Sequence, residues 1–329
     1  MGDKEILALL GGAGFIGRSL VPRIAPRADM RVVDIAAPVF PQTAPFVDMD
    51  ICNFDGLMAA LEGCTGIIHL AAVHRDDVRP RSRYLDVNLH GTENVCAAAT
   101  ALGIRRIIFV STVAAYGPQR GIPDEDTPLA PLNAYGDSKC RAEAVVRAWQ
   151  EADYPRRGAV IVRPTVVFGQ GNRGNIYNLI SQIAGGRFVM VGNGENRKSM
   201  AYVENVAAFL AHLAAMPITA GTRVYNYCDQ PALTMNELLS LVYQTLGERG
   251  MIRWRLPLSV GVAIASLFDL TAWATGRTFP ISRIRVRKFA AATAFASTRM
   301  CETGFVAPFS LREALVRTIA AEFGNPSRG

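Results

Sequence analysis

Tyr135 and Lys139 stand four residues apart in the stretch YGDSK. On a helix, that spacing projects both side chains from one face as neighbours. An ammonium beside a phenol favours the phenolate and lowers the phenol's pKa from about 10. A phenol tuned in this way can exchange a proton with an alcohol while hydride leaves the same carbon for a nicotinamide. The strand-like run Arg106–Ser111 (RIIFVS) precedes the pair and delivers Ser111 and Thr112, either of whose hydroxyls could hold that alcohol. Taken alone, the pair is common on solvated helix faces, so its meaning depends on the rest of the chain.

The stretch GGAGFIG places Gly11, Gly14 and Gly17 after a short apolar run, Ile6–Leu10, and ahead of a helical stretch. Glycines at a strand-to-helix turn allow a tight reversal and let backbone N–H groups approach a pyrophosphate at the helix N-terminus. Asp34 lies at the end of the next strand, Met30–Ile35. A carboxylate there binds the adenosine ribose hydroxyls and repels a 2′-phosphate, which predicts NAD rather than NADP.

The elements that must position these groups follow from the alternation along the first half. Further apolar strands are expected at Gly66–Ala71, Arg106–Ser111 and Ala159–Arg163, with helices over Val87–Ala101 and from Tyr135 onward. That order predicts an α/β fold, a Rossmann-type doubly wound parallel sheet with a smaller, loop-rich C-terminal substrate lobe. After Phe168 the texture changes to glycine- and asparagine-rich loops at Gly169–Asn175 and Gly192–Asn196. One more strand is expected at Arg223–Cys228, and a helix over Thr234–Leu246 opening on a Thr234/Glu237 capping box. The expected division is an NAD-binding domain at 1–168, with a return at 201–229, and a substrate lobe at 169–200 and 230–329.

The chain has 329 residues, of which 50% are hydrophobic and 19% charged, a balance that excludes an intrinsically disordered protein. Its 6 cysteines are scattered without a CxxC pair, so neither a disulfide framework nor a metal site is expected. The start of the chain runs from Asp3, Lys4 and Glu5 straight into an apolar strand and carries no secretory pattern. Cytoplasmic residence is the expectation. The net charge is +7, but Arg277, Arg283, Arg285, Arg287 and Lys288 supply five of those charges within one short strip. No nucleic-acid-sized positive field remains.

Taken together, these motifs resemble the extended short-chain dehydrogenase/reductase family, whose members show them in this order. The matching segments are GGAGFIG, Asp34, HLAA at His69–Ala72, NLHGT at Asn88–Thr92, VSTVAAYG at Val110–Gly117, YGDSK, and RPTVVFG at Arg163–Gly169. One departure is Leu10, where many relatives place Thr. The resemblance implies Thr112, Tyr135 and Lys139 as the catalytic residues, selecting Thr112 over Ser111. It implies an NAD site built from Gly11, Gly14, Phe15, Ile16, Gly17, Asp34, Asp50, Ile51, Leu70, Ala71, Ala72, Asn88, Ser111, Tyr135, Lys139 and Arg163. Asp50 and Ile51 match an Asp–hydrophobe pair beside the adenine ring. The histidines His69 and His74 are expected to be structural or loop residues.

Within the family, GNGENRKSMAYVENVA resembles the segment of nucleotide-sugar epimerases where a basic residue touches the substrate diphosphate. This implies Arg197 and Lys198 as substrate contacts, with Lys198 where Arg is usual, a point charge in place of a bidentate fork. Asn175 and Thr112 complete the implied substrate set. The loops Ala71–Asn88, Gly171–Gly192 and Ile281–Phe295 resemble the family's bacterial 4-epimerases of N-acetylglucosaminyl-diphospho-undecaprenol. That resemblance implies a lipid-linked diphospho-sugar, a 4-keto intermediate, a role in surface polysaccharide assembly, and location at the inner face of the cell membrane. It also allows a homo-oligomer. Leu256–Gly276 is apolar but contains Pro257, Gly261 and Asp269, which argue against a lipid-surrounded span. Its Ser259, Ser266 and Asp269 form a polar stripe opposite Val260, Ile264, Leu267 and Phe268, as in an interfacial helix. Together with the basic strip after it, segment 256–288 is expected to meet an anionic membrane surface. A soluble UDP-sugar 4-epimerase and a membrane-associated NAD-dependent alcohol dehydrogenase remain alternatives.

Overall fold

The computed structural model describes residues 5–39, 44–75, 78–119, 121–247, 255–275, 283, 286, 291 and 293–324. Asp76, Asp77 and most of the basic strip, including Arg277, Arg285, Arg287 and Lys288, lie outside the described residues. The chain divides into two compact units. The first comprises Met1–Val167, Ala201–Cys228 and Phe295–Phe309; the second comprises Phe168–Met200, Asp229–Ala294 and Ser310–Gly329.

The first unit is built on a seven-stranded parallel sheet. Its strands are β1 (Ile6–Leu10), β2 (Asp29–Asp34), β3 (Phe46–Asp48), β4 (Gly66–His69), β5 (Arg106–Val110), β6 (Gly158–Pro164) and a last strand, Gly221–Tyr227. Across the sheet the order runs β3-β2-β1-β4-β5-β6 and then Gly221–Tyr227. Alternation along each strand sends side chains to two separate cores. Leu7 and Leu9 of β1 pack with helices α1 (Gly17–Ile24) and α7 (Val203–Ala215) on one face. Ala8 and Leu10 pack on the other face with α2 (Phe54–Leu61), α4 (Gly91–Ala101) and α5 (Ala134–Glu151). Helices on both faces make the sheet doubly wound, as the continuous apolar strands require. The order reverses between β1 and β4, and the crevice at such a switch point is where these sheets bind ligands.

The expected strands appear within a residue or two of their predicted bounds. Two differences are local. The short strand β3 and helix α2 carry no strong sequence pattern; α2 starts where Asn53 caps it by accepting the Gly56 N–H at 3.2 Å. The helix expected over Val87–Ala101 is preceded by a short helix α3 (Ser82–Leu85) and opens as a π-turn, Asp86–His90, before α4 begins.

In the second unit, α6 (Asn175–Ala184) and α8 (Met235–Thr245) are the regular helices next to the loops. The capping box on α8 forms as expected: Thr234 Oγ1 accepts the Glu237 N–H at 3.1 Å, and Glu237 accepts the Thr234 N–H at 2.7 Å. Helix α9 (Leu258–Thr275) lies within the expected apolar segment. It buries the small residues Gly261 and Ala265 and turns Leu258, Val260, Ile264 and Leu267 outward. Among the described residues no helix is long and apolar enough to cross a membrane.

Candidate active site

The glycine turn joins β1 to α1, and three of its four glycines, Gly11, Gly14 and Gly17, make the expected pattern. Gly11 has φ +77°, and a Cβ there would lie 2.5 Å from Ala71 N; one on Gly17 would lie 2.1 Å from Gly12 O. Both are required by the close passage of backbone. Gly14 is exposed, and only Gly11 O, at 3.2 Å, comes near its absent Cβ. Its lack of a side chain clears space in front of the turn. Helix α1 has no side-chain cap and no acidic residue in its first turn, so its amide dipoles are left for an external anion.

Asp34 closes on this turn from β2: its carboxylate accepts the Ala13 N–H at 3.0 Å and the Ala36 N–H at 3.2 Å. Gly11 N–H donates to Val33 O and Leu70 N–H donates to Leu10 O, each at 2.8 Å. These bonds draw Leu70, Ala71 and Ala72, which follow β4, alongside the turn. Phe15 and Ile16 are half-buried in the turn itself. Asp50 is exposed and accepts the Cys52 N–H at 2.9 Å. Ile51 is buried in the core beside Gly91, and its carbonyl accepts from Asn94 at 3.0 Å. Glycine turn, bare helix terminus and acid at the end of β2 fit the pyrophosphate and adenosine ribose of NAD.

Thr112 and Tyr135 are placed by two caps. Thr112 Oγ1 accepts the Ala114 N–H at 3.1 Å and so starts the short turn Val113–Tyr116, leaving its hydroxyl proton to donate. Asn133 accepts the Gly136 N–H at 2.7 Å and starts α5, which puts Tyr135 in the first turn and Lys139 one turn later. A Cβ on Gly136 would lie 2.6 Å from Ala114 O, so α5 begins in direct contact with the turn that Thr112 caps. Ser111 Oγ, at the end of β5, is buried without a hydrogen-bond partner among the described residues. A buried hydroxyl left unsatisfied at this end of the sheet fits a bound ligand.

Lys139 is 1% exposed, and its Nζ lies 4.0 Å from the centroid of the Phe109 ring. Burial pushes its ammonium down to about 7, against a smaller opposing pull from Glu143. Asn88 sits in the π-turn and ties three segments together. It accepts from Val73 N at 2.8 Å and donates to Val73 O at 3.0 Å and to Ser138 Oγ at 2.9 Å. Ser138 in turn donates to Tyr135 O at 2.8 Å. π-turns of this kind recur at functional sites.

Arg163, expected among the cofactor contacts, sends its side chain elsewhere. Its Nε and Nη2 bond the two Glu143 oxygens at 2.9 and 2.6 Å, and Nη1 bonds Tyr116 Oη at 2.7 Å. Tyr116 donates onward to Asn226 Oδ1 at 2.8 Å. Its guanidinium therefore braces α5 from β6. His69 is buried, as a structural histidine should be. Thr92 gives its hydroxyl proton to Asn88 O at 2.7 Å, so it can only accept from His69 Nε2, at 3.1 Å. The ring is the neutral Nε2–H tautomer, and burial followed by the charge on Lys139 pushes its pKa down to about 3.

Apart from Thr112, the expected substrate-side residues Asn175, Arg197 and Lys198 belong to the second unit. Asn175 is exposed at the first position of α6. Arg197 donates to Ala232 O and Lys198 to Ala291 O, each at 2.6 Å. Burial pushes the Lys198 ammonium down to about 8. Backbone carbonyls thus engage both cations expected at a diphosphate. Sequence reasoning missed Phe109 and Glu143. Glu143 carried a usable signal, since it lies one helical turn beyond Lys139 on the same face.

A nucleotide-binding α/β fold with a Tyr–Lys pair at the carboxyl end of its sheet defines a class of dehydrogenase-like enzymes. The model of the NAD dependent epimerase/dehydratase family matches residues 7–228, and the chain belongs to that family. It is an NAD-dependent enzyme of the extended short-chain dehydrogenase/reductase type, with NAD as cofactor. An Escherichia coli O157:H7 protein named N-acetyl-alpha-D-glucosaminyl-diphospho-ditrans,octacis-undecaprenol 4-epimerase is 42% identical over 320 residues, 97% of this chain and 96% of its own. The 3 beta-hydroxysteroid dehydrogenase/Delta 5→4-isomerase of Monkeypox virus is 30% identical over 76% of this chain and 80% of its own. Among solved structures, the UDP-glucuronic acid 4-epimerase of Bacillus cereus with NAD shares the fold at TM-score 0.74 and 18% identity, covering 96% of this chain and 98% of that one.

Proposed function

We propose that the chain interconverts N-acetylglucosaminyl- and N-acetylgalactosaminyl-diphospho-undecaprenol by inverting C4 of the sugar. The observation that carries this reading is the 42% identity, over 97% of the chain, with the E. coli enzyme whose name states the 4-epimerisation of that lipid-linked sugar. The first unit is the NAD-binding domain: the glycine turn takes the pyrophosphate, Asp34 the adenosine ribose, and Lys139 the nicotinamide ribose. NAD, when bound, supplies a reversible hydride acceptor for C4.

The residues of the chain manage the proton and the alignment. Tyr135, as phenolate, removes the proton of the 4-hydroxyl, and Lys139 stabilises that phenolate. Thr112 holds its Oγ1 toward the Ala114 amide and donates its own proton to the reacting oxygen. After the 4-keto sugar turns over, Tyr135 returns the proton to the inverted alcohol. Positioning and electrostatics are the protein's share of the acceleration. The second unit is the substrate lobe, and Asn175, Arg197 and Lys198 serve its diphosphate and sugar.

The outward face of α9 supports contact with a membrane surface, where the prenyl chain of such a substrate resides. Val260, Ile264 and Leu267, spaced four and three residues apart on one side of the helix, are 42%, 43% and 63% exposed, whereas Gly261 and Ala265 are buried. An apolar face of that kind is costly in water and favourable at a headgroup boundary. The deciding experiment incubates the protein and NAD with defined N-acetylglucosaminyl-diphospho-undecaprenol and identifies the sugar released by acid. N-acetylgalactosamine is expected. Turnover of UDP-N-acetylglucosamine with none of the lipid-linked sugar would place the chain among nucleotide-sugar epimerases instead, and net accumulation of reduced nicotinamide would mark it as a dehydrogenase.

A further inference from the structure

We propose that Phe109 is a positioning residue for Lys139, its ring forming the seat on which the ammonium rests. The proposal builds on the role given above to the Tyr135–Lys139 pair. Lys139 Nζ stands 4.0 Å from the Phe109 centroid, within cation–π range, and both residues are buried. Among the described residues no carboxylate forms an ion pair with Lys139. Glu143, the acid one turn further along α5, has both oxygens bonded to Arg163. The aromatic face is therefore a direct contact that favours the charged form of a lysine whose burial disfavours it.

The seat is itself held. Phe109 is an inward position of the interior strand β5, packed in the core that α4 and α5 share. The His69 ring lies beside it, with centroids 5.3 Å apart and planes at 57°. Because His69 is the neutral tautomer, it supports the ring without setting a second cation near Lys139. The titratable groups bearing on Lys139 are Tyr135 and Glu143 from its own helix and His69 from β4. Arg163 from β6 acts through its bonds to Glu143, and Tyr116 from the turn before α5 through its bond to Arg163. Glu143 is the one anion among them that favours the ammonium, and it acts at a distance while bonded to Arg163, so the Phe109 ring is the group in direct contact with the charge.

The test replaces Phe109 with mono-, di- and trifluorinated phenylalanine in the full-length protein. Each fluorine withdraws charge from the ring face while the shape is nearly kept. The readout is the pH profile of kcat for the epimerisation, with melting temperature and NAD affinity measured alongside. A weaker seat favours deprotonated Lys139, so the alkaline limb should step to lower pH with each fluorine, by about one pH unit across the series. Melting temperature and NAD affinity should stay near wild type. A limb that does not move across the series would overturn the seat. Tyr135→Phe is carried as a control: an active control would overturn the underlying reading, whereas an inactive control with an unmoved limb removes only the role of Phe109.

Discussion

Arg163 brackets the carboxylate of Glu143, with Nε at 2.9 Å and Nη2 at 2.6 Å, and both side chains are buried between β6 and α5. Glu143 lies one turn beyond Lys139, so the bracket fixes the helix that carries the reactive pair. Breaking a buried pair from one side leaves the other charge stranded. Glu143→Gln should cost about 3 kcal/mol of stability, read as a lower urea midpoint with unchanged slope. An unchanged midpoint would mean that the bracket does not brace α5.

Asp34 accepts the Ala13 amide and faces the same turn as the pyrophosphate site. In the proposed site, Asp34→Ala removes the ribose partner and the charge that repels a 2′-phosphate. The expected result is a weaker Kd for NAD, by about tenfold to a hundredfold, with discrimination against NADP falling in step. Fluorescence titration of both dinucleotides checks it; unchanged NAD affinity would move the adenosine site away from Asp34.

Lys139 links pH to stability with a definite sign. Its ammonium titrates at about 7 when folded, against an ordinary 10.5. The folded state therefore binds fewer protons than the unfolded state between those values. Stability gained at this site rises with pH across that window, while the cost of burying the charge is present in full below it. Lys139→Met should melt higher than the wild type near pH 6, and the gap should narrow towards pH 10, while turnover is lost. A lower melting temperature for the variant near pH 6 would contradict the burial cost.

His69 acts at the acid end. Its ring titrates at about 3 when folded, against an ordinary 6.5, so its contribution is present above 6.5 and is lost as pH falls towards 3. The wild type should lose up to about 1.4 kcal/mol per pH unit at this site over that range. His69→Gln, which keeps a donor for Thr92, should flatten the decline in thermal melts; an identical slope would assign the acid loss to other groups.

The exposed apolar face of α9 should be separable from the fold. Ile264→Glu and Leu267→Glu change stability by no more than about 0.5 kcal/mol, since both side chains are substantially exposed. They should sharply reduce pelleting with anionic vesicles. Pelleting equal to the wild type would remove the membrane from the account of this face.

The parts of the molecule that could be read from its sequence are those with local causes. Buried strands such as β1 and β5 are continuous apolar runs, the α8 cap is Thr234 followed by Glu237, and the glycine turn is set by backbone geometry. β3 is only three residues long and half-buried, so it lacks a pattern to detect. The π-turn at Asp86–His90 is a shift in backbone hydrogen bonding that leaves the apolar spacing unchanged. Arg163 was visible as part of a motif, but its partner Glu143 lies on another element and its third bond goes to Tyr116. Phe109 read simply as core, because only packing of α5 on β5 brings Lys139 over its face.

In the proposed reaction the Tyr135 phenol carries the proton of the reacting alcohol. Tyr135→Phe removes that oxygen and leaves α5, its Asn133 cap and the glycine turn in place. The most direct measurement is its epimerisation rate on the lipid-linked sugar, with NAD affinity and melting temperature recorded on the same preparation. The variant should stay folded with near-normal NAD affinity and turnover reduced by at least about a hundredfold. Turnover close to the wild type would contradict it.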